Sequence, residues 1–132
     1  MRALGNIASY TSIGNSVNAF VGYAGGFLPY ASALSTGASI GGSVANFMTA
    51  TSNSGAVDNP IWFPSLYANQ YYGDWNNKSS KYGGFRFVIR DTTATDTVHY
   101  GWIRMSTIVS LPNTVEMIIH DFAYEDLSLI HI

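Results

Sequence analysis

The stretch TVHYGWIRMS, residues 97–106, sets how the rest of the chain is read. It puts a histidine, a tyrosine, a tryptophan and an arginine between His99 and Arg104. On an extended strand successive side chains point to opposite faces. Val98, Tyr100 and Trp102 then form one stripe, with Arg104 at its end, while His99, Gly101, Ile103 and Met105 line the other face. The chemically distinctive side chains are divided between two faces, so the stretch reads as core. Tyr100 and Trp102 fill space, each keeping one polar atom to satisfy. Gly101 between them predicts a bulge or the close approach of a neighbouring ring.

Working outward, GFRFVIRD (residues 84–91) alternates Phe85, Phe87 and Ile89 against Arg86, Val88 and Arg90. DTTATD (residues 91–96) reads as the turn of an antiparallel hairpin into the opening stretch. SLPN (residues 110–113) turns the chain into TVEMIIHDFAYE (residues 114–125), completing a three-strand meander. Earlier strands are expected at residues 7–13, 19–23 and 61–63, with a glycine-broken run at 39–44 and a helical turn at 45–48. Two sheets bury such alternating faces. The expectation is an all-β fold: one antiparallel β-sandwich, jelly-roll-like, spanning residues 1–126 and truncated at its C-terminal edge.

The composition agrees. The 132 residues suit one domain, 47% are hydrophobic, and only 11% are charged against roughly 25% in ordinary soluble domains. Residues 3–57 carry no charge at all. The six basic residues, Arg2, Lys78, Lys81, Arg86, Arg90 and Arg104, form no run, and the net charge of -2 argues against nucleic acid as a partner. With no cysteine there is no disulfide, thiolate metal site or thiol nucleophile. The most apolar stretch, residues 19–34, is too short and too glycine-rich to read as a membrane span, and no signal peptide follows Arg2.

No catalytic set is nominated and no cofactor is expected. His99 and His120 lie one per strand, without a second histidine at ligand spacing, and read as strand-surface or hydrogen-bonded residues. Asp121 follows His120 directly, and adjacent strand residues face opposite ways, so the two are not expected to act as base and orienter. Asp121 and Glu125 share a face but stand ~13 Å apart at strand rise, too far for a glycosidase pair. A cross-strand ion pair of Asp121 or Glu125 with Arg104 or Arg86 is the better use. Asp74, Asn76 and Asn77, with Asp58 and Asn59, offer oxygens for calcium, but turn formation is the stronger reading. The best binding feature is LYANQYYGDW (residues 66–75), read as a loop. Tyr67, Tyr71, Tyr72 and Trp75 beside Asn69, Gln70 and Asn76 have the chemistry of a sugar-binding platform. That platform requires an exposed Trp75 coplanar with a tyrosine; full burial of Trp75 excludes it.

The strands YGGFRF, HYGWIRMS and HDFAYE, in that order, resemble a group of uncharacterised bacterial exported proteins of the PEP-CTERM-associated type. LSTGASIGGS upstream and GDW before the first strand are similar to the same group, and the likeness spans residues 33–125. It implies a secreted or cell-surface protein with a non-enzymatic role in the envelope or extracellular matrix, and partners among envelope components or extracellular polysaccharide. Members of that group continue into another short strand and a sorting signal processed at the cell envelope. Here LSLIHI (residues 127–132) matches the translation of a transposase adapter, CTG TCT CTT ATA CAC ATC, and is read as a non-native tail. The alternative role, from the aromatic stretch at residues 67–75, is a carbohydrate-binding module.

Overall fold

The computed structural model describes residues 7–11, 18–25, 28–42, 45–49, 61–68, 70–90, 96–125 and 129–132, and among these it is all-β. The strands are β1 (Ile7–Thr11), β2 (Ala19–Gly25), β3 (Leu28–Ala31), β4 (Ser39–Gly41), β5 (Phe47–Thr49) and β6 (Ile61–Tyr67). They continue as β7 (Gln70–Tyr72), β8 (Lys81–Arg90), β9 (Asp96–Ser110), β10 (Thr114–Glu125) and β11 (Leu129–His131). The main sheet runs β1-β6-β3-β2-β8-β9-β10, with β5 added to β2 and β7 to β6. Its two ends, β1 and β10, come together, so the sheet rolls around one core. A two-stranded sheet of β4 and β11 covers the other face. The result is a β-sandwich.

The meander of β8, β9 and β10, at one end of this sheet, is the one the sequence predicts. Phe85 pairs with Gly101 and Phe87 with His99 across β8 and β9, and β10 returns along β9 from Thr114 to Glu125. Gly101 has the predicted reason. A Cβ there would lie 2.6 Å from the Phe85 ring and 2.6 Å from the Ala123 carbonyl oxygen, so the ring packs directly on the backbone.

Burial on β9 departs from the one-sided expectation. Tyr100 is buried and Trp102 half-buried, but Val98 is 37% exposed, and the opposite face holds His99 at 6% and Met105 at 3%. Met105 joins Ala31, Met48, Ile61, Phe63 and Trp75 inside the rolled sheet. Tyr100 joins Val21, Ile40 and Ile130 beneath the small sheet. β9, paired on both sides by β8 and β10, has two covers, both supplied by segments distant in sequence. The uncharged half of the chain, through β2, β3, β4 and β5, supplies much of them.

Three other expectations are corrected. Residues 47–49 form β5 rather than a helical turn, because pairing with β2 satisfies their backbone and buries Met48. Residues 66–75 are not one loop: β6 and β7 form a hairpin turning at Ala68 (φ 50°), followed by a turn at Gly73 (φ 85°). A Cβ on Gly73 would sit 2.8 Å from the Phe63 carbonyl oxygen, which makes the position glycine's. One contact, Tyr30 with Trp62, is parallel, between strands β3 and β6 that are not consecutive in the chain. The turn at residues 91–95, Asp58 and Asn59 lie outside the described residues. Of residues 127–132, read as a non-native tail, Leu129–His131 form β11, and Ile130 is 3% exposed against Ile40 and Tyr100.

Candidate functional site

His99, read as a strand-surface or hydrogen-bonded residue, is buried at 6% exposure, which overturns the first of those alternatives. Its ring stacks on Phe87 (centroids 5.3 Å, interplanar angle 25°) and meets Tyr124 edge-on at 6.3 Å. Phe87 and Tyr124 contact each other T-shaped at 5.5 Å. Such pairs contribute about 0.5–1.5 kcal/mol beyond area burial. The imidazole is a packing element among rings. Among the described residues no three His, Cys, Asp or Glu side chains gather where a metal ion could be held.

Beside this box lies a groove of about 400 Å³, walled by Phe20, Phe85, Phe87, Phe122 and Tyr124. The walls come from alternate positions on β2, β8 and β10. Phe20 pairs with Phe85, and Tyr124 with Gly101, so all project from the same face of the sheet. Arg86 also borders the groove, but its guanidinium lies 4.8 Å from the Phe47 ring centre, in a cation–π contact on the far face. Phe122 is 67% and Tyr124 53% exposed. An apolar concavity with protruding rings at its rim is suited to binding apolar surface. The sequence placed Phe85 and Phe87 on one face but gave no sign that Phe20 joins them, since that requires the long-range pairing of β2 with β8.

A second cluster occupies the opposite face. A β-bulge between Ile119 and Asp121 inserts His120 as an extra residue against β9. The expectation that His120 and Asp121 point apart is therefore corrected. Ser106 and Arg104 share a face of β9; His120 Nε2 lies 2.7 Å from Ser106 Oγ, and Asp121 receives both Arg104 Nε (2.8 Å) and Arg104 Nη2 (2.7 Å). The Ser80 N–H donates to the same Ser106 oxygen at 2.9 Å. The hydrogen bond from Arg104, more than its charge, holds the Asp121 carboxyl below the usual aspartate range, and the Arg104 pKa is raised in return. The predicted cross-strand ion pair is thus formed by Asp121. Because both Asp121 oxygens face Arg104, the Ser106–His120 pair has an imidazole beside a hydroxyl, and among the described residues no third group is hydrogen-bonded to the ring to orient it as a base.

The strict alternation expected along this strand missed the bulge, although the sequence carries a signal for it. Apolar residues fall on Met117 and Ile119, then on Phe122 and Tyr124, a one-residue slip of phase that an extra residue at 120 absorbs.

The tyrosine-rich stretch is divided by the structure. Trp75 is fully buried at 0% against Phe63, and its Nε1–H has no hydrogen-bond partner among the described residues. It cannot be a sugar platform. Tyr67, Tyr71 and Tyr72 are exposed at 63%, 47% and 38%, but pairing of Tyr67 with Gln70 and of Leu66 with Tyr71 puts Tyr71 on the other face. The Tyr72 hydroxyl donates to Gln70 Oε1 at 2.9 Å, and Asn69 lies outside the described residues. The carbohydrate-binding platform predicted from Tyr67, Tyr71, Tyr72 and Trp75 is not assembled.

The oxygen-rich residues nearby close turns. Asn76 donates its amide to the Tyr72 and Gly73 carbonyls, and Asn77 exchanges side-chain hydrogen bonds with the Val109 backbone. Asp74 accepts from the Tyr23 hydroxyl (3.3 Å) and the Ala33 N–H (3.4 Å). Burial, then the Asp74 charge, pushes the Tyr23 pKa up to about 12.

Comparison of the chain with protein-family models, with curated proteins and with solved structures returns no match.

Proposed function

We propose that this chain is a non-enzymatic β-sandwich module of a bacterial cell envelope or extracellular matrix. The observation that carries the reading is that the chemically distinctive residues of the last meander are engaged in packing and pairing: His99 between Phe87 and Tyr124, Asp121 with Arg104. The low charge, the absence of cysteine and the resemblance of its strand motifs to exported proteins support the compartment.

Two measurements test it. DNA flanking the coding segment is expected to encode an export signal upstream and a sorting signal downstream; neighbours encoding only cytoplasmic enzymes, with no export signal, would count against the compartment. A panel of ester, glycoside and peptide substrates is expected to show no turnover. Turnover lost in both Ser106→Ala and His120→Ala would make the Ser106–His120 pair catalytic and overturn the non-enzymatic assignment.

A further inference from the structure

We propose that the edge of β4 on which β11 sits is a strand-acceptor site for an extended peptide segment of another protein. The segment adds as a strand and carries aliphatic side chains two positions apart. This rests on the edge itself and not on the compartment.

The acceptor is held in place by the rest of the chain. Leu34, ahead of β4, exchanges two backbone hydrogen bonds with Tyr82 of β8 (2.8 and 3.0 Å), and Lys81 Nζ donates to Ser35 Oγ at 2.9 Å. Ile40, fully buried, lies on Gly84: a Cβ there would stand 2.9 Å from both Ile40 Cδ1 and Val21 Cγ2. None of these contacts involves β11. The edge is also unguarded. Charged residues and proline are the usual devices that stop a further strand from adding, and STGASIGG (residues 35–42) contains neither.

What β11 contributes is general in kind. Leu129, Ile130 and His131 pair with Gly41, Ile40 and Ser39, and the Gly37 and Ile132 N–H groups donate to the Ile132 and Ala38 carbonyls, both at 3.0 Å. Ile130 fills a pocket of Val21, Ile40 and Tyr100, and Ile132 packs at its margin. His131 between them is exposed, adding one hydrogen bond to the Ser39 hydroxyl. Backbone bonds supply the attachment and alternate side chains the selection, as in other added strands. On the reading of LSLIHI as a translated adapter, the present occupant was never selected to fit this edge. Its seating then marks an acceptor that requires only an extended backbone and two aliphatic side chains.

The full-length chain carrying Ile130→Ser and Ile132→Ser, mixed with a fluorescent LSLIHI peptide, tests this. Anisotropy is expected to show saturable binding with a Kd on the order of 0.1–1 mM. The unaltered chain should bind the peptide at least about tenfold more weakly, because its own tethered strand competes at high effective concentration. A peptide with serine at both isoleucine positions should also lose about tenfold or more, as buried aliphatic area is removed. A variant that folds only when the peptide is added supports the proposal equally. One that folds and leaves the peptide unbound overturns it, as does one that the peptide fails to restore, which would make β11 ordinary core. A variant that associates with the unaltered chain but not with the peptide overturns it too, by making a second copy the occupant. In the unaltered chain, hydrogen exchange should find the Gly37 and Ile132 amides protected; exchange at the rate of an unstructured peptide overturns the proposal without any variant.

Discussion

At Gly101 the absence of a side chain is itself a contact. The Phe85 ring on one side and the Ala123 carbonyl on the other leave no room for a methyl group. Gly101→Ala is expected to destabilise by about 1–3 kcal/mol, the usual cost of overpacking. Urea denaturation checks it, and trimming the ring in Phe85→Leu/Gly101→Ala should recover part of the loss. Tyr23 offers a second test on single groups. Its folded pKa, about 12, lies above the ordinary value of 10, so the neutral phenol is the form favoured by the fold. The associated stability is fully present below the ordinary value and is lost as pH rises through the folded one. In Asp74→Asn the Tyr23 pKa should fall yet stay above the ordinary value, because burial is the larger cause. A difference titration of phenolate absorbance between the variant and the unaltered chain reads this directly.

Among the elements, β10 shows most clearly how a strand's pairing directs its side chains. Without an extra residue, Ile119 and Phe122 would lie on opposite faces; the bulge at His120 returns both to the groove side. Removing His120 should leave a regular ladder with every other residue of β10 on its present face. Stability is then expected to change by no more than about 1 kcal/mol, the scale of the lost hydrogen bond to Ser106. Removing Ala123 instead inverts Tyr124 and Glu125, sending a carboxylate toward the His99 box, and should cost far more. Equal losses in the two deletions, measured by thermal unfolding, would show that the bulge does not set the register. The Arg104–Asp121 pair on the same strands adds a small acid sensitivity. The Asp121 pKa is depressed, so the contribution is present above the ordinary aspartate range and is lost as pH falls through the folded value. Asp121→Asn should flatten that acid limb.

Over the whole molecule, the two cores make β9 the strand on which both layers depend. The small sheet of β4 and β11 closes one of them, with Ile130 and Ile40 under it and the Ser39 hydroxyl bonded to His131 Nδ1 at 2.9 Å. Ile130→Ala is expected to cost about 2–5 kcal/mol, as for other buried aliphatic side chains. A loss within about 0.5 kcal/mol, the scale of a surface change, would mean that β11 contributes no core and that residues 127–132 lie outside the domain's energetics.

What the sequence determined by itself was local. Period-two alternation announced β8 and β9, β-branched and aromatic content announced β10, and Gly101 announced a bulge or a ring close to the backbone. Opposite charges on neighbouring strands announced an ion pair of Asp121 or Glu125 with Arg104 or Arg86. These follow from side-chain direction along an extended chain, which needs no knowledge of distant partners. Tertiary structure alone decided that β9 has two covered faces and that His99 is enclosed by rings. It also buried Trp75 while leaving Tyr67 exposed, and brought Phe20 to the groove of Phe85 and Phe122. Each of these depends on which remote segment packs on a given face, and alternation specifies only that two faces exist, not what covers them.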